Sequence, residues 1–329
     1  MSKKFWLGLL LIVLSYLQWL MPKSWFMHHH FVAGCVLTFF VTMFFVGVIL
    51  LCGGISDKFK GAEMFGTARR SRKELVLFIL AAGLSGIVLE VFAQWLGKLW
   101  IYPFFLPWIY WIVLFPGFVF YWVTIVKSYM AAKAVIDDAW PQKRSRATEP
   151  YYVFEPALYT VFGIGGIFAL AYAVAHQLAA YQLHGGFTFD VIASVPFAPP
   201  FHYMIIGFFA VWGIAEWGLY LRKSPSALRS MLHGYWAPTF AILLSAAALA
   251  FFMETQNVMH HHWIYTHWPW PDSNVLGVPT TVFLTWPLHY VIFMIIPGVI
   301  APIWARVFWA EQSTMLTKSA AKTSVSAKS

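Results

Sequence analysis

FVAGCVLTFFVTMFFVGVILLC, residues 31–52, decides the fold class. It contains no charged side chain. A helix rises 1.5 Å per residue, so about 20 apolar residues cross the hydrocarbon core of a bilayer. Working outward, comparable apolar runs fall at 5–21, 74–98, 105–127, 154–180, 201–221, 235–254 and 279–305. Hydrophobic residues make up 60% of the 329 positions and charged residues 11%, against about 25% charged in a soluble domain. Mean hydropathy is +0.68. The reading is an all-α fold: a polytopic membrane helix bundle of about eight transmembrane helices. The first run follows Lys3 and Lys4 as a signal peptide would. No small-residue cleavage site comes after it, only Met21, Pro22 and Lys23, so it reads as a retained helix.

Charge orients the bundle. Lys58, Lys60, Arg69, Arg70, Arg72 and Lys73 fill the second loop. Lys127, Lys133, Lys143, Arg144 and Arg146 fill the fourth, and Arg222, Lys223 and Arg229 the sixth. The odd-numbered loops hold only Lys23 and Lys98. Basic residues gather on the cytoplasmic side, so both termini are expected there, in the inner (cytoplasmic) membrane. The net charge of +9 is thus an orienting charge, and no nucleic-acid partner is expected. Cys35 and Cys52 share one run. At helical rise they stand about 25 Å apart, too far to pair, and read as buried small hydrophobes.

The chain repeats itself at an offset of 163 residues. Trp100-Ile101-Tyr102 matches Trp263-Ile264-Tyr265, Pro116 matches Pro279, Val119 matches Val282, and Gln94 pairs with Asn257. Glu90 and Glu254 correspond after a one-residue slip. The offset spans four crossings, an even number, so the halves share one orientation: two parallel four-helix repeats about an axis along the membrane normal. The expected units are 1–150, with its basic loop; 151–311; and a disordered basic tail at 312–329, rich in Ser, Thr, Ala and Lys.

Two sets of residues stand out as chemistry. Glu90 and Glu254 sit in the outer-leaflet parts of apolar helices, each about one turn from an amide, Gln94 or Asn257. Burial disfavours a charged carboxyl, and an acid kept protonated can serve as a general acid. Trp100, Tyr102, Trp263 and Tyr265 follow about three turns later, with ring faces suited to a carbocation. A structural role for the acids, bonded to these aromatics across the repeat, fits the same pattern. The second set is histidine, twelve in all, nearly all near the outer face. Imidazole is the commonest metal ligand. A zinc, copper or iron site drawn from His28, His30, His176, His202, His260, His262 and His289 is therefore one expectation. A bis-histidine haem on His176 and His289 is another. Neither has the His-x-x-x-His spacing of helical metal sites. Glu155 and Glu216, near inner helix ends, read as anchors or ion-pair partners. Asp272 and Asn274 read as turn formers. Gly163, Gly165 and Gly166 suit close helix packing.

The order Glu254…Trp263-Ile-Tyr265…Leu276-Gly-Val-Pro279…Leu284-Thr-Trp286 resembles the membrane carotenoid-modifying proteins, the lycopene cyclase domain and carotenoid hydratase families. The resemblance covers 90–123 and 254–287. It implies a multi-helix scaffold whose acidic residues protonate a polyene end, giving a cation that cyclises or takes up water. Cyclase domains carry Pro-x-Glu-Glu after Trp-x-Tyr; here those places read Pro116-Gly-Phe-Val and Pro279-Thr-Thr-Val. The leading expectation is an integral-membrane protein acting on an apolar isoprenoid or lipid-like molecule between the halves, with Glu90 and Glu254 as proton donors. Gln94, Asn257 and the Trp/Tyr pairs would line the pocket. The alternatives are a metal- or haem-binding membrane subunit and a transporter, for which Gly163–Gly166 is the nearest thing to a broken helix. The third outer loop, 185–200, is expected to be interfacial or re-entrant.

Overall fold

The structure, a computed structural model, describes residues 2–28, 30–62, 64–68, 71–105, 107–141, 149–192 and 194–310. The tail expected to be disordered, 312–329, lies outside the described residues. The main helices are α1 (Lys3–Ser15), α2 (His30–Lys58), α3 (Arg72–Leu89), α4 (Pro107–Ala139), α5 (Glu149–Leu183), α6 (Phe201–Leu221), α7 (Ala237–Val258), α8 (Thr280–Ile300) and α9 (Pro302–Trp309). Among the described residues the first eight, α1 extended by a 3₁₀ turn to Leu20, give eight candidate spans long and apolar enough to cross a bilayer. Their outward surfaces are apolar: Val161, Phe168 and Leu284 are each about 70% exposed (69%, 71% and 69%). A soluble protein does not leave so continuous an apolar surface in water. The chain is an all-α polytopic integral membrane protein.

Helix packing follows the repeat. At the centre, α3 packs on α4 and α8, and α7 packs on α8 and α4. The hairpin α1–α2 lies against α4, and the hairpin α5–α6 against α8. Exchanging the halves leaves this pattern of contacts unchanged, as two-fold pseudosymmetry requires. The backbone repeats as well. Lys60 and Lys223, at the ends of α2 and α6, both take φ of 53°. Behind each, the next amide bonds five residues back: Gly61 to Ser56 at 2.8 Å and Ser224 to Leu219 at 2.9 Å. That is the same left-handed helix cap used twice. Lys98 and His261, again 163 apart, have φ of 51° and 54°. A left-handed non-glycine residue costs roughly 1 kcal/mol, so its recurrence at matched positions is not accidental.

Strand β1 (Trp100–Ile101) pairs antiparallel with β2 (Ile264–Tyr265), placing Ile101 opposite Ile264 and Trp100 opposite Tyr265. Each copy of the Trp-Ile-Tyr motif thus meets its own counterpart, and the two-fold axis passes between the isoleucines. The slip between Glu90 and Glu254 also has a structural cause. Helix α3 continues into a π-helical turn over Glu90–Trp95, with Leu96 bonded to Val91 at 2.9 Å. The wider turn absorbs the one extra residue of the first half.

Some expectations change. Cys35 is exposed on the outside of the bundle; only Cys52 is buried. Helix α2 faces outward at Cys35, where apolar side chains lose nothing against lipid. Helix α5 is unbroken through Gly163–Gly166. Gly163 and Gly166 instead let α6 approach: a Cβ on Gly163 would stand 2.2 Å from the Trp217 ring, and one on Gly166 2.9 Å from the Ala210 carbonyl. At the opposite end of the bundle from β1–β2, α9 folds back beneath the helices. There Tyr129 donates to the Phe308 carbonyl at 2.6 Å. Glu155 and Glu216 are anchors, as expected: Glu155 pairs with Arg229 at 3.1 Å, and Glu216 accepts from the Trp212 indole and the Leu228 amide, each at 3.0 Å.

Candidate functional site

Where α3 and α7 finish and α4 and α8 begin, the halves line a half-open cavity of about 420 Å³. Its wall is overwhelmingly apolar and aromatic, with no lysine or arginine among the lining residues. Glu90 and Glu254 both border it, as do Trp100, Tyr102, Trp263 and Tyr265. The repeated motif therefore builds one site between the halves. The two other residues expected to bind substrate are elsewhere. Gln94 donates to the Asp190 carbonyl at 3.3 Å, and Asn257 accepts from the Trp263 amide at 3.0 Å. Neither lines the cavity; both hold the loops that cover it.

Each acid is gripped by the tyrosine of its own motif. Tyr102 donates to Glu90 Oε1 and Tyr265 to Glu254 Oε1, both at 2.6 Å. The Trp100 indole donates in turn to the Tyr102 hydroxyl at 2.9 Å. Beyond that the halves diverge. Tyr110 donates to Glu90 Oε2 at 2.9 Å, so both oxygens of Glu90 accept hydrogen bonds. Glu254 Oε2 is buried without a well-formed partner, although Trp263, Trp286 and Asn257 are close by. The cause is local. In the first half, α4 begins nine residues before Pro116, and its first turn brings Tyr110 to Glu90. In the second half, α8 begins only after Pro279. The preceding chain forms instead a hairpin of β3 (Asn274–Val275) and β4 (Val278–Pro279), turned by Leu276 and Gly277 in left-handed conformation.

A further tyrosine lines the same cavity as both acids. Tyr121 lies near both Glu90 and Glu254 and makes no hydrogen bond among the described residues. Its ring packs edge-on against Trp286 at 6.2 Å. Trp286 also touches His289, ring centroids 5.6 Å apart, and His289 Nδ1 is buried without a partner. Sequence reasoning missed Tyr110 and Tyr121. The one available signal for Tyr121 is a hydroxyl within an apolar run that has only Leu284 at the matching position of the other half.

The histidines do not converge. Among the described residues no group of three His, Cys, Asp or Glu is placed to hold a metal ion. The side chains of His28 and His30 lie outside the described residues. His176 is exposed and rests on Tyr172 and Tyr203, with centroids 3.9 and 5.5 Å away. His202 is exposed beside Tyr203. His289 faces the cavity, packed on different rings from those of His176. His260 and His262 are buried against Gln18: the Gln18 carbonyl bonds His260 Nε2 at 2.7 Å, and Gln18 Oε1 bonds His262 Nε2 at 2.8 Å. The Gln18 amide also donates to Gln256, and the Gln256 amide to Ser15 at 3.0 Å. This polar knot ties the end of α1 to the end of α7, and through His262 it reaches the cavity wall. Burial pulls the His262 imidazole down to about 3, keeping it neutral.

Loop 185–200 is a strap. Its described part has no helix or strand. The Tyr102 amide donates to the Val191 carbonyl at 2.7 Å, Lys98 donates to the Thr188 carbonyl at 2.7 Å, and His267 Nε2 lies 2.8 Å from the Val195 carbonyl. These bonds seat the strap against the β1–β2 ladder. No protein-family profile, curated protein or solved structure matches the chain.

Proposed function

We propose that this protein is an integral-membrane enzyme that protonates an apolar isoprenoid or lipid-like molecule in the cavity between its halves. One observation carries the reading: two buried carboxyls, each held by a motif tyrosine, border a single apolar cavity lined by the tryptophans of both motifs. The resemblance to carotenoid-modifying proteins supports the same chemistry. In the step, the acid O–H adds its proton to one carbon of a double bond. The π electrons form the new C–H bond, and the positive charge is left on the more substituted carbon. Indole faces stabilise that cation. Ring closure with loss of a proton, or capture by water, completes the reaction.

Glu254 is the primary donor. Both oxygens of Glu90 already accept hydrogen bonds, whereas Glu254 Oε2 accepts none that is well formed, so Glu254 has an oxygen available to carry and deliver a proton. By the loop charges, the site lies toward the outer leaflet with both termini cytoplasmic. The test uses membranes containing the protein, an acyclic polyene and D2O. Deuterium should enter the product, and Glu254→Gln should abolish incorporation while the protein stays folded. Glu90→Gln should slow it less. Undiminished turnover in both variants would sink acid catalysis.

A further inference from the structure

The cavity is apolar nearly all round, yet it has one polar pole. Three groups define it: Glu254 Oε2, His289 Nδ1 and the Tyr121 hydroxyl, none with a well-formed hydrogen bond among the described residues. All three gather about Trp286, which packs on Tyr121 and His289 and lies next to Glu254. Of the other hydroxyls lining the cavity, Tyr102, Tyr110 and Tyr265 donate to the acids and Thr38 donates to the Gly34 carbonyl at 2.7 Å, which leaves Thr42. A buried polar group left without a partner costs about 1–3 kcal/mol. Two such atoms, Glu254 Oε2 and His289 Nδ1, with the Tyr121 hydroxyl against the same tryptophan, mark a place where a ligand's polar group completes the bonding. A pure hydrocarbon leaves all three unsatisfied. An anionic head finds no cation, because no lysine or arginine lines the cavity, and it meets two carboxyls instead.

We infer that the occupant is a lipid with a long apolar chain ending in one neutral hydrogen-bonding group, a hydroxyl or a carbonyl, seated at Tyr121, His289 and Glu254. The inference rests on the lipid-site reading above and adds the chemistry of the ligand's end. The apolar chain then runs past Phe45, Leu89, Phe118 and Phe120. A hydroxyl can donate to His289 and accept from Tyr121. A carbonyl accepts from Tyr121 and from whichever of the other two carries a proton.

Among the described residues four tryptophans line the cavity (Trp100, Trp263, Trp268 and Trp286), so ligand entry is readable as a change in the intrinsic fluorescence of the full-length protein in detergent. Three probes of equal chain length decide the matter: a C20 prenyl alcohol, the matching C20 hydrocarbon and the C20 prenyl diphosphate. The alcohol should bind about tenfold tighter than the hydrocarbon, the worth of one or two net hydrogen bonds, and the diphosphate weakest. His289→Leu should bring the alcohol-to-hydrocarbon ratio close to one without weakening the hydrocarbon. Tyr121→Phe, which keeps the ring, should lower the same ratio, and it decides the question if the His289 variant fails to fold. Equal binding of alcohol and hydrocarbon, diphosphate binding as tight as alcohol, or a ratio unmoved by Tyr121→Phe would overturn the inference. Head-group discrimination without deuterium incorporation would leave this inference standing and remove the proposed reaction. Turnover of a hydrocarbon without discrimination would do the opposite.

Discussion

Gln18 shows how far a single side chain reaches in this molecule. It sits in a 3₁₀ turn, Tyr16–Leu20, at the end of the first span, yet it holds His260 and His262 more than 240 positions away. That grip carries a pH signature. The folded-state pKa of His262 is pulled by burial from 6.5 to about 3, so between those values the unfolded chain binds a proton that the folded one refuses. Stability is therefore fully present above about pH 6.5 and falls as the pH drops toward 3, at up to about 1.4 kcal/mol per pH unit. Thermal unfolding of the detergent-solubilised protein at pH 7.5, 6 and 4.5 checks this. The wild type should lose stability across the series, and His262→Gln should flatten the loss. At the same scale, the acids at 90 and 254 were legible in the sequence, because a carboxylate in an apolar run is conspicuous. Their hydrogen-bond partners were legible in kind, since the motif aromatics are the groups expected to bond them, but the expected bonds run across the repeat and the observed ones stay within each half. The neighbouring amides Gln94 and Asn257 are near in sequence, but the tyrosines, which the turn after each helix carries back, make the bonds.

Among the elements, hydropathy located most spans closely, since burial in lipid is a property of a continuous segment and needs no knowledge of partners; the fourth, read as 105–127, lies instead at Pro116–Ala139 and carries Lys127 and Lys133, expected in a loop, inside its helix. Packing faces are less visible. Helix α5 carries Gly163 and Gly165 two positions apart, and only the structure separates them. A Cβ at Gly163 strikes the Trp217 ring, whereas one at Gly165 meets nothing within 4 Å. Gly163→Ala should therefore destabilise by about 1–3 kcal/mol through overpacking. Gly165→Ala should be neutral or stabilise by about 0.5–1 kcal/mol through helix propensity. Melting of the two variants side by side would reveal an error in the α5–α6 contact if they behaved alike. The π turn is a similar case. The one-residue slip between the halves was readable, but whether a chain absorbs an extra residue as a loop, a kink or a widened turn depends on what lies on either side.

For the molecule as a whole, the cavity is the product of the two-fold arrangement, and it offers its own test. Gly117 lines the cavity, and a Cβ there meets nothing within 4 Å. Gly117→Phe should fill the space with little change in melting temperature and should abolish both ligand-induced fluorescence change and turnover. A variant that melts normally and still binds the prenyl alcohol would place the site elsewhere. Composition, apolar run length and loop charge determined by themselves that the chain is a helical membrane bundle. The 163-residue offset identified its two halves and singled out the paired acids and Trp-Ile-Tyr motifs. These are local or periodic properties, written in consecutive residues. Only the tertiary structure decided that the motifs pair about a two-fold axis, that the acids share one cavity, and that Tyr110 satisfies Glu90 while Glu254 keeps an oxygen without a well-formed bond. It alone brought His260 and His262 together on Gln18 and set His176, His202 and His289 apart from them. Those outcomes depend on which side chains meet across distant parts of the chain, and packing, not local pattern, sets such meetings.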